Sequence, residues 1–207
     1  MKIDEIQIGN QIWMKHNLDV ITFQNGDAIL QAKTNGELIL ASENKHAIFC
    51  YYDNNPKYGE KYKKLYNWYA VNDPRGLAPV GWRIPTMKDW EILLNYLNGE
   101  SYLMYNKNNY SITESLRIED ENNIDWSGNN KSGFRALPAG WFNTVDQIFN
   151  DVGTATVWWS NKETFDENGN LVNAWSVCLT AEKKMNLLFS PLLNKGCCSS
   201  IRCIKII

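Results

Sequence analysis

Ala78-Pro79-Val80-Gly81-Trp82-Arg83-Ile84-Pro85-Thr86-Met87-Lys88-Asp89-Trp90 reads as a tight turn, a short extended piece and an abrupt helix start. Pro79 and Gly81 supply turn geometry, and Pro85 keeps Ile84 out of the α region, so no helix begins before it. Thr86 is then the N-cap, and Asp89 three residues on completes a capping-box-like pair at the positive end of the helix dipole. The spacing predicts a helix to Asn98 with Gly99 as its left-handed stop. Trp90, Leu93, Leu94 and Leu97 fall at i, i+3, i+4 and i+7, one apolar stripe facing a core.

The chain has 207 residues, a formal net charge of -2 and five cysteines. That length suits one domain over residues 1–207, large enough to bury a real core. A near-neutral balance without lysine or arginine blocks argues against a nucleic-acid partner. Nine Trp and ten Tyr are the outliers. They point to a loop-rich fold pinned by large side chains, or to a surface that grips carbohydrate or protein. Met-Lys-Ile-Asp-Glu-Ile lacks the apolar core of a signal peptide, and no run reaches transmembrane length, so no membrane insertion is expected. An odd cysteine count with Cys197 beside Cys198 fits free thiols made in a reducing cytoplasm, with assembly into a virion as one destination.

Along the chain, Ile3 to Trp13 reads as a β-hairpin broken at Gly9-Asn10. Asn25-Gly26 and Asn35-Gly36 read as turns around short strands, one of them Glu37 to Ala41. Phe49 to Tyr52 is an aromatic strand leading into a loop over Asp53 to Pro56, and a helix is expected from about Asn67. A second amphipathic helix covers Ser111 to Glu119, followed by a long Asn/Asp/Gly loop carrying Trp126. The last third reads as strands over Phe134–Leu137, Trp141–Asn143, Thr156–Ser160, Ala174–Leu179, Lys184–Phe189 and Ser199–Ile206, with Glu167-Asn168-Gly169 as a hairpin tip. Strand-rich ends around helices, without strand-helix alternation, give an α+β class.

Several blocks in order carry a resemblance. They are Ile8 to Met14 with Asn17-Leu18; Tyr58-Gly59 with Leu65 to Trp68; Gly81 to Thr86 with Trp90; Gly133 to Gly140; Trp158-Trp159-Ser160; Ala174-Trp175; and Ile201 to Ile204. Together they resemble the Fibrobacter succinogenes major paralogous domain. That family is similar to C-type lectin-like folds, which include formylglycine-generating enzymes and the variable proteins of diversity-generating retroelements. The resemblance implies a mixed, mostly antiparallel sheet in which early and late strands meet, two helices and a long loop-rich C-terminal half. It brings no agreed activity. Family members commonly carry a cysteine where Ala78 stands, able to pair with the position of Cys203, and a second one near Asn55-Pro56-Lys57 facing Cys50. Both partners are missing here, which removes the disulfide-bonded setting of those relatives.

Chemistry is sparse. The only histidines, His16 and His46, sit in no nucleophile motif. Zinc spacings and phosphate-binding glycine loops are absent, and no cofactor is implied. Cys198 and Cys203 resemble the spacing of the copper-binding thiol pair in formylglycine-generating enzymes, but five residues along a strand point to opposite faces. A calcium site of the lectin kind would need a carboxylate near Lys162, and an ammonium is no ligand. Asp120, Asn122, Asn123, Asp125 and Asn129 offer oxygens in a loop, a composition that also makes ordinary turns.

The expected function is therefore a non-catalytic module that recognises a protein or glycan through its C-terminal half, as retroelement variable proteins or phage receptor binders do. The alternative is a structural subunit, a homo-oligomer joined through its late strands. Met185 to Leu193 is apolar where relatives tend to be polar, and large outward apolar groups mark a contact surface. Leu187 and Phe189 are the candidates there, with Trp141, Phe142, Asn143, Thr144, Phe149, Ser176, Cys178 and Lys183 beside them. Trp158, Trp159 and Trp175 are assigned to the core.

Overall fold

The computed structural model describes residues 3–98, 110–165, 168–182 and 187–206, without the side chains of Tyr110 and Leu188. Gly99, residues 100–109 and residues 183–186 lie outside the described set, so the expected helix stop at Gly99 and the start of the Lys184–Phe189 strand do too. The fold is α+β, with mixed but mostly antiparallel pairing, as the element order predicts.

The hairpin is present as β1 (Glu5–Ile8) and β2 (Gln11–Met14), turning at Gly9 with φ 58°. An added Cβ at Gly9 would lie 2.8 Å from the Tyr96 ring, so the turn is closed both by backbone freedom and by close packing. On its other side β2 takes the late strand β13 (Ile204–Lys205), which pairs with β6 (Trp82–Arg83). A sheet of order β1-β2-β13-β6 results, in which early and late segments meet as expected.

The second sheet begins at β3 (Leu30–Gln31), β4 (Ile48–Cys50) and β5 (Leu65–Asn67), and continues through β12 (Cys198–Ser199) and β7 (Ala139–Asn143). Beyond these come β9 (Ala155–Thr164), β10 (Asn173–Thr180) and the edge strand β11 (Leu187–Asn194), while β8 (Ile148–Val152) pairs with β7 alone. Among the described strand pairs, β3 with β4 and β7 with β9 run parallel. The C-terminal half is thus richer in strands than expected. Phe134–Leu137 is the exception: Ala136 makes one isolated bridge to Arg117, and Phe134 and Ala136 are buried without a ladder.

Helices outnumber the two expected. Glu37 to Ala41 is no strand; it lies inside α1 (Asn35–Glu43). Thr34 caps this helix by accepting from the Glu37 N–H, while the Glu37 carboxylate accepts from the Lys33 N–H, so a Thr-x-x-Glu capping box overrides the turn reading of Asn35-Gly36. Asn55 caps α2 (Pro56–Tyr62), with Pro56 in the first turn where its missing N–H loses nothing. Asn67 caps α3 (Trp68–Val71), near its expected start, and α5 (Tyr110–Leu116) covers part of the second expected helix.

Helix α4 (Met87–Asn98) follows the sequence reading. The Asp89 carboxylate accepts from the Thr86 N–H at 2.7 Å and the Thr86 hydroxyl at 2.6 Å, and receives Arg83 bidentately at 2.6 and 2.7 Å. Trp90, Leu93 and Leu94 are buried in one cluster with Trp13, Phe134 and Trp158. Ring centroids stand 4.9 Å apart for Trp13 and Trp90, and 5.5 Å for Trp90 and Trp158, distances at which aromatic pairs attract beyond their burial.

Beneath these rings lies Arg202, 1% exposed. Its guanidinium donates to Asn17 Oδ1 at 3.2 and 2.9 Å, to the Met14 carbonyl at 3.2 Å and to the Phe134 carbonyl at 2.6 Å. Asn17 Oδ1 also accepts from Trp158 Nε1 at 3.0 Å, and Asn17 Nδ2 donates to Ser200 Oγ and the Tyr62 carbonyl.

Removing Asn17 leaves a buried guanidinium and an indole N–H short of their acceptor, so Asn17→Ala is expected to cost about 3–5 kcal/mol in a denaturant titration. Burial pushes the Asp89 carboxyl up, but Arg83 and the two Thr86 donors outweigh it and hold the group below its ordinary value. A depressed carboxyl contributes stability above its unfolded pKa and loses it as pH falls. Asp89→Asn should therefore be about 1–2 kcal/mol less stable than the parent at neutral pH, with the gap closing in acid.

Candidate functional site

Strand alternation decides which of the expected site residues share a face. Val177 and Leu179 of β10 face the tryptophan-rich cluster, and their partners on β11 are Phe189 and Leu187. Leu187 is 6% exposed, and Phe189 packs against the same cluster, so both face inward rather than outward. Phe142 is likewise buried, its ring 4.8 Å from that of Phe149, its cross-strand partner. Ser176 is buried opposite Trp159. Phe142, Ser176 and Leu187 thus serve packing, and Lys183 lies outside the described residues.

Trp141, Asn143, Thr144, Phe149 and Cys178 are half-buried. Trp141 donates through Nε1 to Asp151 Oδ2 at 2.9 Å, and Asn143 donates to Asp146 at 2.6 Å. Thr144 Oγ1 lies 3.5 Å from Cys197 Sγ, so these polar groups brace the β7–β8 hairpin onto the buried end of β12. Trp158 and Trp159 are core residues as expected, whereas Trp175 is only half-buried.

Its position explains the difference. Between Ala174 and Ser176, β10 is opposed by extra residues on both sides: Glu163 to Trp159 on β9, and Leu193 to Ser190 on β11. Paired bulges bend the neighbours and re-aim the side chain between them. Beyond the bulges, at the outer end of β9–β11, Phe165 is 62% exposed, Leu171 46%, Val172 40% and Leu192 67%. Thr164 Oγ1 donates to the Pro191 carbonyl at 2.9 Å, and Lys195 Nζ donates to the Leu171 carbonyl while paired with Glu163 at 3.1 Å, tying the three strand ends together. Leu171 and Val172 also wall a cavity of about 290 Å³ with Tyr69 and Lys195. Sequence reasoning missed these residues because Phe165, Leu171 and Val172 lie just outside β9 and β10, where no periodicity acts, and Leu192 falls in the phase of β11 opposite to Leu187 and Phe189.

The blocks quoted from the sequence converge in space: Met14, Asn17, Phe134, Trp158 and Arg202 form one hydrogen-bonded centre. The family model of the Fibrobacter succinogenes major domain matches residues 6–205. The chain belongs to that family. No curated protein and no solved structure matches this Fibrobacter succinogenes major domain.

Within the domain the thiols do not converge. Cys198 is buried with Cys50, Leu65 and Phe142, whereas Cys203 lies in another cluster with Ala78. All five cysteines are free. Burial pushes the Cys203 thiol up to about 12, and burial followed by the Asp151 charge does the same for Cys178. Burial, then Cys50, raises Cys198, and burial raises Cys197. The loop oxygens are engaged in turns: Asp120 holds Lys61 at 3.1 Å and the Asn122 N–H, Asn123 accepts from the Trp126 N–H, and Asn129 from the Lys131 N–H. Among the described residues no group of three His, Cys, Asp or Glu is placed to hold a metal ion, and no helix is long and apolar enough to cross a membrane.

Thiolate is the reacting form, so raised and buried thiols are inert. The folded domain should consume almost no aromatic disulfide reagent at neutral pH, and all five thiols should titrate once guanidinium is added.

Proposed function

We propose that this domain, C-type lectin-like in architecture, is a non-catalytic module that binds a protein or glycan through the outer end of β9–β11. One observation carries the reading: Phe165, Leu171, Val172 and Leu192 gather there in the open, on strand ends tied together by Thr164 and Lys195. Isolated apolar residues are ordinary on a surface, but a cluster at one end of a rigid sheet marks a contact site. Trp175, half-exposed between two bulges, adds an aromatic anchor of the kind that dominates binding energy. The inert thiols support a role without covalent chemistry. Recognition of a host surface by a phage component or a retroelement variable protein is the setting such a module suits.

An assembly subunit is the second reading, and the edge strand bears on it. Pro191 has no N–H to offer a new strand, and the Leu192 N–H turns back to its own Ser190 Oγ at 3.3 Å. Contacts at this edge are therefore made by side chains rather than by extending the sheet.

The triple variant Phe165→Ser, Leu171→Ser, Leu192→Ser alters exposed positions only and is expected to melt with the parent. Wild type should sediment as a monomer and be retained on an array of glycans and cell-surface proteins, and the variant should lose that retention. A wild-type dimer that the variant converts to monomer would replace recognition by assembly.

A further inference from the structure

Where β2 runs into irregular chain, a cavity of about 240 Å³ opens beside the hairpin. Met14 and Leu18, both nearly inaccessible, form its apolar floor, and Ile3, Val20 and Pro79 form its walls. His16 and Lys63 stand among the lining residues, with Asp4 and Asp19. Few polar groups around an apolar body is the composition of a small-molecule site.

Charge decides which molecule. Two lining residues, Met14 through its carbonyl and Asn17 through its side chain, are held by the Arg202 guanidinium behind them. Among the described residues no carboxylate pairs with Arg202, so a buried cation lies behind the cavity without a countercharge. Of the two carboxylates in the lining, Asp19 is already taken by the buried Lys64 ammonium and approached at 4.0 Å by Lys63. Asp4 is largely in solvent, 3.9 Å from His16. His16 itself feels burial first, then Arg202 and Arg135, and only after them Asp4, so its imidazole is held neutral and keeps a ring N–H to donate.

Lys63 adds a second, independent observation. It sits at φ 70°, ψ -153°, a backbone region that only glycine occupies freely. Its N–H closes the end of α2 on the Gly59 carbonyl at 3.1 Å, and its ammonium rests on the Glu60 carbonyl at 3.2 Å, beside the cavity mouth. A glycine would serve the backbone better; what lysine supplies there is the charge.

We propose that this cavity binds a small organic carboxylate, its hydrocarbon body on Met14, Leu18 and Val20 and its carboxyl group toward Lys63 and His16. The site is separate from the β9–β11 end, and neither reading depends on the other.

The test follows methyl signals of Met14, Leu18 and Val20 and the ring signals of His16 by NMR while hexanoate, hexan-1-ol or hexylamine is added. Hexanoate should shift both sets in a saturable way, hexan-1-ol should bind about tenfold more weakly, and hexylamine should leave the His16 ring unmoved. Lys63→Gly removes the cation while relieving the backbone, so its melting temperature should be equal or higher and its hexanoate affinity about fivefold lower, with hexan-1-ol unchanged. Val20→Trp fills the cavity and should abolish all binding. Equal affinity for the acid and the alcohol, a preference for the amine, no methyl shifts in the folded wild type, or undiminished hexanoate binding by Lys63→Gly would each overturn the proposal.

Discussion

A positive charge buried without a countercharge is the constraint around which this fold is arranged. Arg202 is satisfied by a side-chain amide and two backbone carbonyls, none of them ionised. Such an arrangement holds only if every acceptor is in place, because a buried guanidinium short of hydrogen bonds is costly. Each acceptor comes from a different part of the chain: Met14 from β2, Asn17 from the segment after it, Phe134 from the stretch before β7. The aromatic rings of Phe134 and Trp158 close over the cation, at 4.5 and 6.0 Å from its centre, and add attraction of their own. Met14, Asn17, Phe134 and Trp158 each come from a sequence block that carries the family resemblance.

That shell explains how the two sheets stay in register. Trp158 belongs to β9, and its indole N–H ends on Asn17, so the large sheet is keyed to the strand-and-loop segment that follows the small one. Tyr66 on β5 makes a parallel link, receiving Trp159 Nε1 on its carbonyl and donating its hydroxyl to Val20. With the interior fixed by directional bonds of this kind, the outer end of β9–β11 is free to vary in sequence without loosening the core. Such a division suits the recognition surface proposed above, since loops can change while a scaffold does not.

Much of this was legible in the sequence where a local rule acts alone. Thr86 and Asp89 announce the start of α4 because proline blocks any earlier start and the cap follows at the right spacing. The same chemistry at Thr34 and Glu37 was hidden by Asn35-Gly36, a pair that reads as a turn wherever no cap is considered. The size of the aromatic side chains placed Trp158 and Trp159 in the core, but not the partnership of Asn17 with Arg202, which are joined across most of the chain. Least legible was the exposed end. Alternation leaves two phases open along β11, and the register with β10, which sets Leu187 opposite Leu179 and Phe189 opposite Val177, turns both inward while Leu192 stands in the open. Such a register is set by tertiary pairing and leaves no local mark.

The seam between β2 and β13 has a consequence for biosynthesis. Trp13 lies opposite Ile204, and the Met14 and Leu18 amides close on the carbonyls of Cys203 and Ile201. During translation, the hairpin has no partner strand until β13, nearly two hundred residues further on, has been made, about ten to forty seconds at ordinary elongation speeds. Until then Trp13 has the rings of Trp90 and Phe134 to cover it. Closure of the small sheet therefore waits on a strand far downstream, and loss of β13 is far more damaging than its two residues suggest.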